Sequence, residues 1–203
     1  NDTITTGSGD DLVVGGMGSD GITVSNGNNL VVGDSGQITA ASTSGPQLVG
    51  LPLTIGEIVT TADGIGGSDT ITAGSGNDIL VGGTNDEGVV ERISAGEGNN
   101  IVLGDSGRID YTRADREGGV GADTDPADID LMESTSTALY GGVDEIATGG
   151  GDDVVLGGRY GDKISAGAGS NLVIGDSGKV TAATEHAPQS GIPMTLGLVE
   201  TMS

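Results

Sequence analysis

The chain has no cysteine, phenylalanine or tryptophan and only one histidine among its 203 residues. Without cysteine it can form no disulfide and offers no thiolate to zinc. Without large aromatic side chains it is poorly suited to fill the thick core of an ordinary globular domain. The sequence also has no Walker loop, no HExxH motif and no paired-carboxylate pocket. We therefore expect a protein that is not an enzyme and has no catalytic residues.

Basic residues are also scarce, since 7 Lys and Arg stand against 30 Asp and Glu, for a net charge of −23. Nucleic acid is not an expected partner, because phosphate binding needs clustered Lys or Arg. No apolar run reaches the roughly 18 residues of a membrane span. Crowded carboxylates repel one another and need counter-cations, and hard cations such as calcium prefer oxygen ligands.

The sequence contains a short repeat of aliphatic residues, most of them nine positions apart. Asp or Asn stands two residues before most of these positions. A period of nine with Gly-rich gaps does not fit a helix, but it is typical of short stacked strands joined by tight turns. The repeated positions are Ile4, Val13, Ile22, Val31, Ile71, Leu80, Ile93, Val102, Ile146, Val155, Ile164 and Val173.

The sequence also contains a repeat of longer period. Gly-Asp-Ser-Gly begins at Gly33, Gly104 and Gly175, at intervals of 71 residues. We divide the chain into three units, 1–67, 68–142 and 143–203, which form one continuous solenoid. Each unit has five short strands followed by a variable stretch. We expect about three turns of a two-sheet coil per unit, a rise of roughly 14 Å at the usual strand spacing. The chain begins in mid-pattern, so we expect it to be part of a longer protein.

One stretch, 15–23, matches the nonapeptide G-G-x-G-x-D-x-U-x at every fixed position, and near matches occur at 6–14, 73–81, 148–156 and 157–165. The chain thus resembles the RTX, or hemolysin-type, calcium-binding β-roll segments of secreted bacterial proteins. The resemblance implies an all-β fold, a right-handed parallel β-roll with several bound Ca²⁺ ions. It also implies an extracellular location reached by type I secretion.

In the family each calcium ion lies between stacked turns and takes carboxylates and backbone carbonyls as ligands. Carried onto this sequence, the resemblance implies metal-binding roles for Asp2, Gly7, Gly9, Asp11, Gly16, Gly18, Asp20, Asn29, Asp69, Gly74, Gly76, Asp78, Asn100, Asp144, Gly149, Gly151, Asp153, Gly158, Asp162 and Asn171.

Three departures from the family pattern leave alternatives open. Asn29, Asn100 and Asn171 replace the usual Asp, and a neutral amide binds calcium more weakly. Asp34, Asp105 and Asp176 lie in a shortened turn and either reach a metal or do not. The third turn of the second unit is four residues longer, and its acids Asp86 and Glu87 are out of register. Asp and Asn also occupy turns simply because they tolerate a left-handed backbone.

The residues beside the repeated aliphatic positions differ between alternate strands. In the first and third strands of each unit none of them is a large aliphatic, whereas in the second and fourth all are. The fifth strand has polar flanks, so we place it beside the first and third. A strand that is apolar on both faces is buried on both. The apolar set is Leu12, Val14, Leu30, Val32, Ile79, Val81, Ile101, Leu103, Val154, Leu156, Leu172 and Ile174.

Something must cover this second apolar face. The aliphatic segments 51–59, 129–132 and 192–199 of the variable stretches are the expected cover, as inserted strands or loops packed on one sheet. A neighbouring chain is the alternative, and we expect some self-association or continuation of the same repeat.

These observations predict a calcium-binding structural repeat segment of a secreted or cell-surface bacterial protein. It would form a calcium-stabilised rod in an adhesin stalk, a surface layer or an extracellular fibre. One alternative is a β-solenoid face that binds ice or polysaccharide, for which Thr3, Thr5, Thr70 and Thr72 are the candidates. Another is a non-catalytic appendage of an RTX enzyme or toxin.

Overall fold

The computed structural model describes residues 1–47, 50–62, 64–85, 88–113, 125–136, 139–183 and 193–202. These residues form eighteen short strands in three six-stranded sheets, which we call sheets A, B and C. The expected all-β fold is confirmed. Within the described ranges there is no helix long and apolar enough to cross a membrane.

Sheets A and B are parallel and are built from strands that alternate along the chain. Sheet A contains β1 (Thr3–Thr5), β3 (Gly21–Thr23), β7 (Thr70–Thr72), β9 (Val90–Gly96), β13 (Val143–Thr148) and β15 (Lys163–Ser165) in that spatial order. Sheet B contains β2 (Leu12–Val14), β4 (Leu30–Val32), β8 (Ile79–Gly83), β10 (Ile101–Asp105), β14 (Val154–Leu156) and β16 (Leu172–Ile174). The repeated aliphatics pair in register, as Ile4 does with Ile22 and Ile22 with Ile71.

Sheet C is antiparallel and is made of one hairpin from each unit. Its strands are β5 (Gly36–Ala40), β6 (Ile55–Thr60), β11 (Gly107–Asp110), β12 (Leu131–Ser134), β17 (Gly178–Ala182) and β18 (Leu196–Thr201). Each hairpin pairs the fifth strand of a unit with a strand from the variable stretch that follows it.

The placement of the fifth strand beside the first and third was therefore wrong. Its polar flanks do mark a strand with one polar face, but Ile38, Ile109 and Val180 pack against sheet B from outside rather than joining sheet A. A one-sided strand fits either position, so its pattern alone could not decide between them. Each unit contributes two strands to sheet A and two to sheet B, rather than three to each. The rise is therefore about 10 Å per unit.

The core between sheets A and B is thin and aliphatic. Eleven of the twelve repeated positions belong to it, nine of them buried and Ile4 and Ile164 partly buried at its ends. Val173, in the last strand of sheet B, is 42% exposed. Small residues such as Ala73 and Ala95 complete this core, which explains how it closes without aromatics.

A second core lies between sheets B and C. It contains ten of the twelve apolar flanking residues, and only Leu12 and Val14 on the edge strand β2 are exposed. The chain thus covers its own apolar face, as the sequence predicts. Ile55 and Met132 show that segments 51–59 and 129–132 provide this cover.

The segment 192–199 was expected to cover the sheet in the same way, and that expectation is only partly met. Residue 192 lies outside the described range, and Met194 is buried in the second core. The side chains of β18, however, are exposed throughout, with Leu196 44% and Leu198 49% accessible. β18 is the edge strand of sheet C.

Candidate metal sites in two columns of turns

The turns between sheets A and B stack in two columns, one at each edge of the coil. We call the turns that lead into sheet A the A-column and those that lead into sheet B the B-column. Two residues before each inward aliphatic, the A-column carries Asp2, Asp20, Asp69, Glu91, Asp144 and Asp162. At the same position the B-column carries Asp11, Asn29, Asp78, Asn100, Asp153 and Asn171.

Glu91 is a member of the A-column that the sequence analysis missed. Asp86 and Glu87, the acids considered for the longer turn, lie outside the described residues. Glu91 stands two residues before Ile93, the same offset as Asp20 has from Ile22. Counting back from the inward aliphatic would have found it, whereas counting forward from the glycines did not.

In Asp20, Asp69 and Asp162 of the A-column, one carboxylate oxygen is held by the backbone of the turn before it. The amide of Asp2 donates to Asp20 Oδ1 at 2.6 Å, and that of Asp20 donates to Asp69 Oδ1 at 2.7 Å. The amide of Asp144 donates to Asp162 Oδ1 at 2.9 Å. These bonds orient the side chains along the column and leave the second oxygen of each carboxylate pointing inside it.

Seven carboxylates of the two columns have at least one buried oxygen without a hydrogen-bond partner among the described residues. A buried polar atom without a partner is rare, and a buried charge without compensation costs several kcal/mol. The unpartnered atoms are Oδ2 of Asp11, Asp20, Asp69, Asp78, Asp144 and Asp162 and both carboxylate oxygens of Glu91.

Burial, and for some the charge of a neighbour, raises the pKa of several of these carboxyl groups above its ordinary value. Desolvation is the main cause that raises the pKa of Asp69 to about 7 and that of Asp162 to about 6. Desolvation and the neighbouring charges of Asp105 and Asp162 raise the pKa of Asp144 to about 9. At neutral pH the columns therefore require either protons or cations.

Backbone carbonyls complete an oxygen-lined space in five of the six A-column turns. A Cβ at Gly15 would overlap both Asp20 Oδ2 and the carbonyl oxygen of Gly33. The arrangement recurs at Gly33, Gly82, Gly104 and Gly157, each facing the carboxylate of its own turn and the carbonyl of the next glycine in the stack. Carbonyl and carboxylate oxygens without donors are the ligand set that calcium prefers, at about 2.3–2.6 Å.

The described residues contain no group of three or more Asp, Glu, His or Cys side chains that could hold a metal by themselves. A cation in these turns would therefore take most of its ligands from the backbone. This requirement explains the glycines, which let carbonyls approach closely.

The B-column glycines stack with no room for a side chain. Gly27, Gly76, Gly98, Gly151 and Gly169 each have φ between +127° and +146°, and a Cβ on any of them would overlap the carbonyl of the glycine before it. Gly9, with φ +128°, begins this stack.

The other implied glycines fall into two groups. In the A-column, Gly16, Gly18 and Gly158 have φ between +101° and +117°. Gly7, Gly74 and Gly149 begin B-column turns and have no positive φ.

The three Asn side chains of the B-column close their own turns. Asn29 Oδ1 accepts from the amide of Asp11, so its Nδ2 faces the carbonyls of Ser25 and Gly27, at 3.2 and 3.1 Å. Asn29 Nδ2 also lies 2.8 Å from Asp78 Oδ1. The same pattern holds for Nδ2 of Asn100 with Gly96 and Gly98, and for Nδ2 of Asn171 with Ala166.

The remaining predicted ligands are placed differently. Asp153 Oδ2 accepts from the Thr148 hydroxyl at 2.7 Å, and Asp2 is exposed at the end of the A-column. Asp34 accepts the backbone amides of Gly67 and Thr84.

Asp105 repeats the contacts of Asp34 one unit later, with the amides of Gly142 and Arg159. In both units this carboxylate joins the base of a sheet C hairpin to the unit that follows. Asp176, the third copy, is exposed.

The comparison with known families agrees with this geometry. A family model described as the RTX calcium-binding nonapeptide repeat matches in four copies, at residues 1–22, 63–86, 91–108 and 140–181. No curated protein and no solved structure is significantly similar to the chain. Because the four matches cover just over half of its length and fall on the glycine and carboxylate turns, the chain belongs to the RTX calcium-binding repeat family.

Proposed function

We propose that this chain is a calcium-stabilised structural segment of a secreted or cell-surface protein, in which calcium is part of the fold. The observation that carries the proposal is a set of seven carboxylates, each with at least one buried oxygen that lacks a hydrogen-bond partner among the described residues. The ligands proposed for calcium are these oxygens together with the turn carbonyls beside them.

The physical reason is the charge of the two columns. Five of these carboxylates follow one another at strand spacing in the A-column and repel one another, and the described turns supply few cationic side chains to compensate them. Calcium neutralises the carboxylates and bridges adjacent turns, so its binding free energy becomes folding free energy. The chain would remain unfolded where calcium is scarce and would fold outside the cell, where it is plentiful.

The proposed role is mechanical rather than catalytic. The three units stack with one register, and sheet C closes the apolar face of sheet B, so the repeat extends along one axis. Such a coil, which we propose to be right-handed, suits a rod in an adhesin stalk, a surface layer or an extracellular fibre. No histidine lies among the described residues, and the sequence has no cysteine.

A substitution in the one complete nonapeptide tests this proposal. Asp20→Ala removes an A-column carboxylate, and Asp125→Ala removes an acid outside both columns as a control. We expect Asp20→Ala to shift the calcium concentration needed for half-maximal β signal upward at least tenfold, with Asp125→Ala close to the wild type. Equal midpoints for the two variants would contradict the proposed sites.

The outer face of sheet A supports a second candidate, a surface that binds ice or polysaccharide. Thr5, Thr23 and Thr72 lie side by side in the register of this sheet and are exposed. The neighbouring row of outward-facing residues on sheet A contains no Thr from β9 onward, where Glu145 pairs with both Arg92 and Lys163. An ice-recrystallisation assay on the calcium-loaded chain distinguishes this candidate, since a purely structural segment leaves crystal growth unchanged.

A further inference from the structure

The lengthened turn of the second unit contains a buried acid that the family motif does not describe. Glu91 begins the inward part of β9 and is 0% exposed. Among the described residues neither of its two carboxylate oxygens has a hydrogen-bond partner. The next residue, Arg92, does not compensate it, because its guanidinium lies on the outer face, 3.3 Å from Glu145.

The surroundings of Glu91 are acidic and rich in carbonyls. Burial, followed by the charges of Asp144, Asp69, Asp34 and Asp105, raises the pKa of the Glu91 carboxyl well above its ordinary value. A Cβ at Gly82 would overlap Glu91 Oε1 and the carbonyl oxygen of Gly104, so these two oxygens share one small space. The longer Glu side chain reaches the position that Asp occupies in the regular turns.

The inserted residues of the turn add a further oxygen. Asn85 is 2% exposed, and its Nδ2 donates to Asp144 Oδ1 at 3.1 Å. Its Oδ1 has no hydrogen-bond partner among the described residues. The insertion thus replaces the backbone donor of a regular turn by a side-chain amide and leaves another acceptor buried.

We propose that Glu91 is the carboxylate ligand of a calcium site in this lengthened turn, so the A-column stays continuous through the insertion. The inference rests on the proposed function, because it assumes that the regular turns bind calcium. It predicts that the insertion changes the ligand from Asp to Glu without deleting the site.

Counting ions per chain tests the proposal. Native mass spectrometry at saturating calcium compares the wild type with Glu91→Gln and with Glu200→Gln, an exposed control with the same loss of charge. Glu91→Gln should bind one ion fewer than the other two proteins. An unchanged count would mean that Glu91 is protonated rather than metal-bound, and would overturn the proposal.

A second measurement does not depend on the variant folding. In crystals of the calcium-loaded wild type, the anomalous difference map should show a peak about 2.3–2.6 Å from a Glu91 carboxylate oxygen. Peaks beside Asp20 and Asp162 without one at Glu91 would refute this inference alone. No peak in any turn would refute the proposed function as well.

The Asn turns carry a second, independent inference. The Nδ2 atoms of Asn29, Asn100 and Asn171 donate to carbonyls of their own turns. A carboxylate is unable to donate in this way, so an Asp turn leaves the same carbonyls to a cation. We infer that these three amides take the place of calcium and make their turns metal-free, in contrast to the weak metal sites that the sequence predicts.

Restoring the acid tests this inference. Asn29→Asp should bind one calcium ion more than the wild type, as counted by native mass spectrometry. Asn26→Asp, an exposed change in the same turn with the same added charge, should leave the ion count unchanged. No gain in Asn29→Asp, or a calcium ion bound to Asn29 Oδ1 in the calcium-loaded wild type, would overturn it.

Discussion

The second core between sheets B and C should contribute to stability as much as the core inside the coil. Ile55 in β6 is 0% exposed and packs in this second core. Truncating a buried Ile to Ala costs about 2–5 kcal/mol, from lost burial and the cavity left behind. For a chain of this length each kcal/mol lowers the melting temperature by about 2–4 °C. Ile55→Ala should therefore melt about 4–20 °C below the wild type.

The matched control is Leu196→Ala in β18, where the side chain is 44% exposed. It should change the melting temperature by less than about 2 °C, because surface truncations cost within about 0.5 kcal/mol. From the sequence alone the segments containing Ile55 and Leu196 look equivalent, so the structure alone separates them. Thermal unfolding followed by circular dichroism in saturating calcium measures both. If the two variants melt together, sheet C does not form a second core.

Two further predictions concern pH and the glycine stack. Burial raises the pKa of Asp34, Asp69 and Asp105 from 3.8 to about 7, so the folded state binds protons more tightly than the unfolded state. Stabilisation from these protons is complete below about pH 4 and is lost as the pH rises to about 7. In chelator, β signal should therefore be greater at pH 4.5 than at pH 8, and the reverse order would contradict the buried placement. Gly98→Ala places a Cβ against the Gly76 carbonyl at φ +127° and should destabilise the calcium-loaded fold by at least about 1 kcal/mol. Gly7→Ala is the control, because a Cβ there would meet open space, and it should leave the chemical denaturation midpoint of the calcium-loaded fold unchanged.

Much of the fold could be predicted because two separate residue patterns follow the same strand period. The inward aliphatics and the apolar flanks both follow the strand alternation, so residues such as Val31 and Leu30 could be assigned to two different cores. The need for a cover followed from hydrophobic burial alone. The identity of the cover followed from the aliphatic segments around Ile55 and Met132.

Other features were beyond the sequence because one pattern fits two structures. The strand containing Ile38 has one apolar and one polar face, which suits sheet A and sheet C equally. Glu91 escaped notice because the insertion displaced it from the glycines, although its offset from Ile93 was unchanged. The sequence also shows Asn29 only as a weaker ligand, whereas the orientation of its side-chain amide follows from the hydrogen bond that the Asp11 backbone amide donates to Asn29 Oδ1.

The most direct test of the account is the response of the wild-type chain to calcium. After exhaustive chelation at pH 8, far-ultraviolet circular dichroism should show a disordered chain, because the buried carboxylates of both columns are then uncompensated. Adding millimolar calcium should restore the β signal cooperatively, and magnesium at the same concentration should not. A β spectrum that is the same in chelator and in calcium would contradict the claim that calcium is part of the fold.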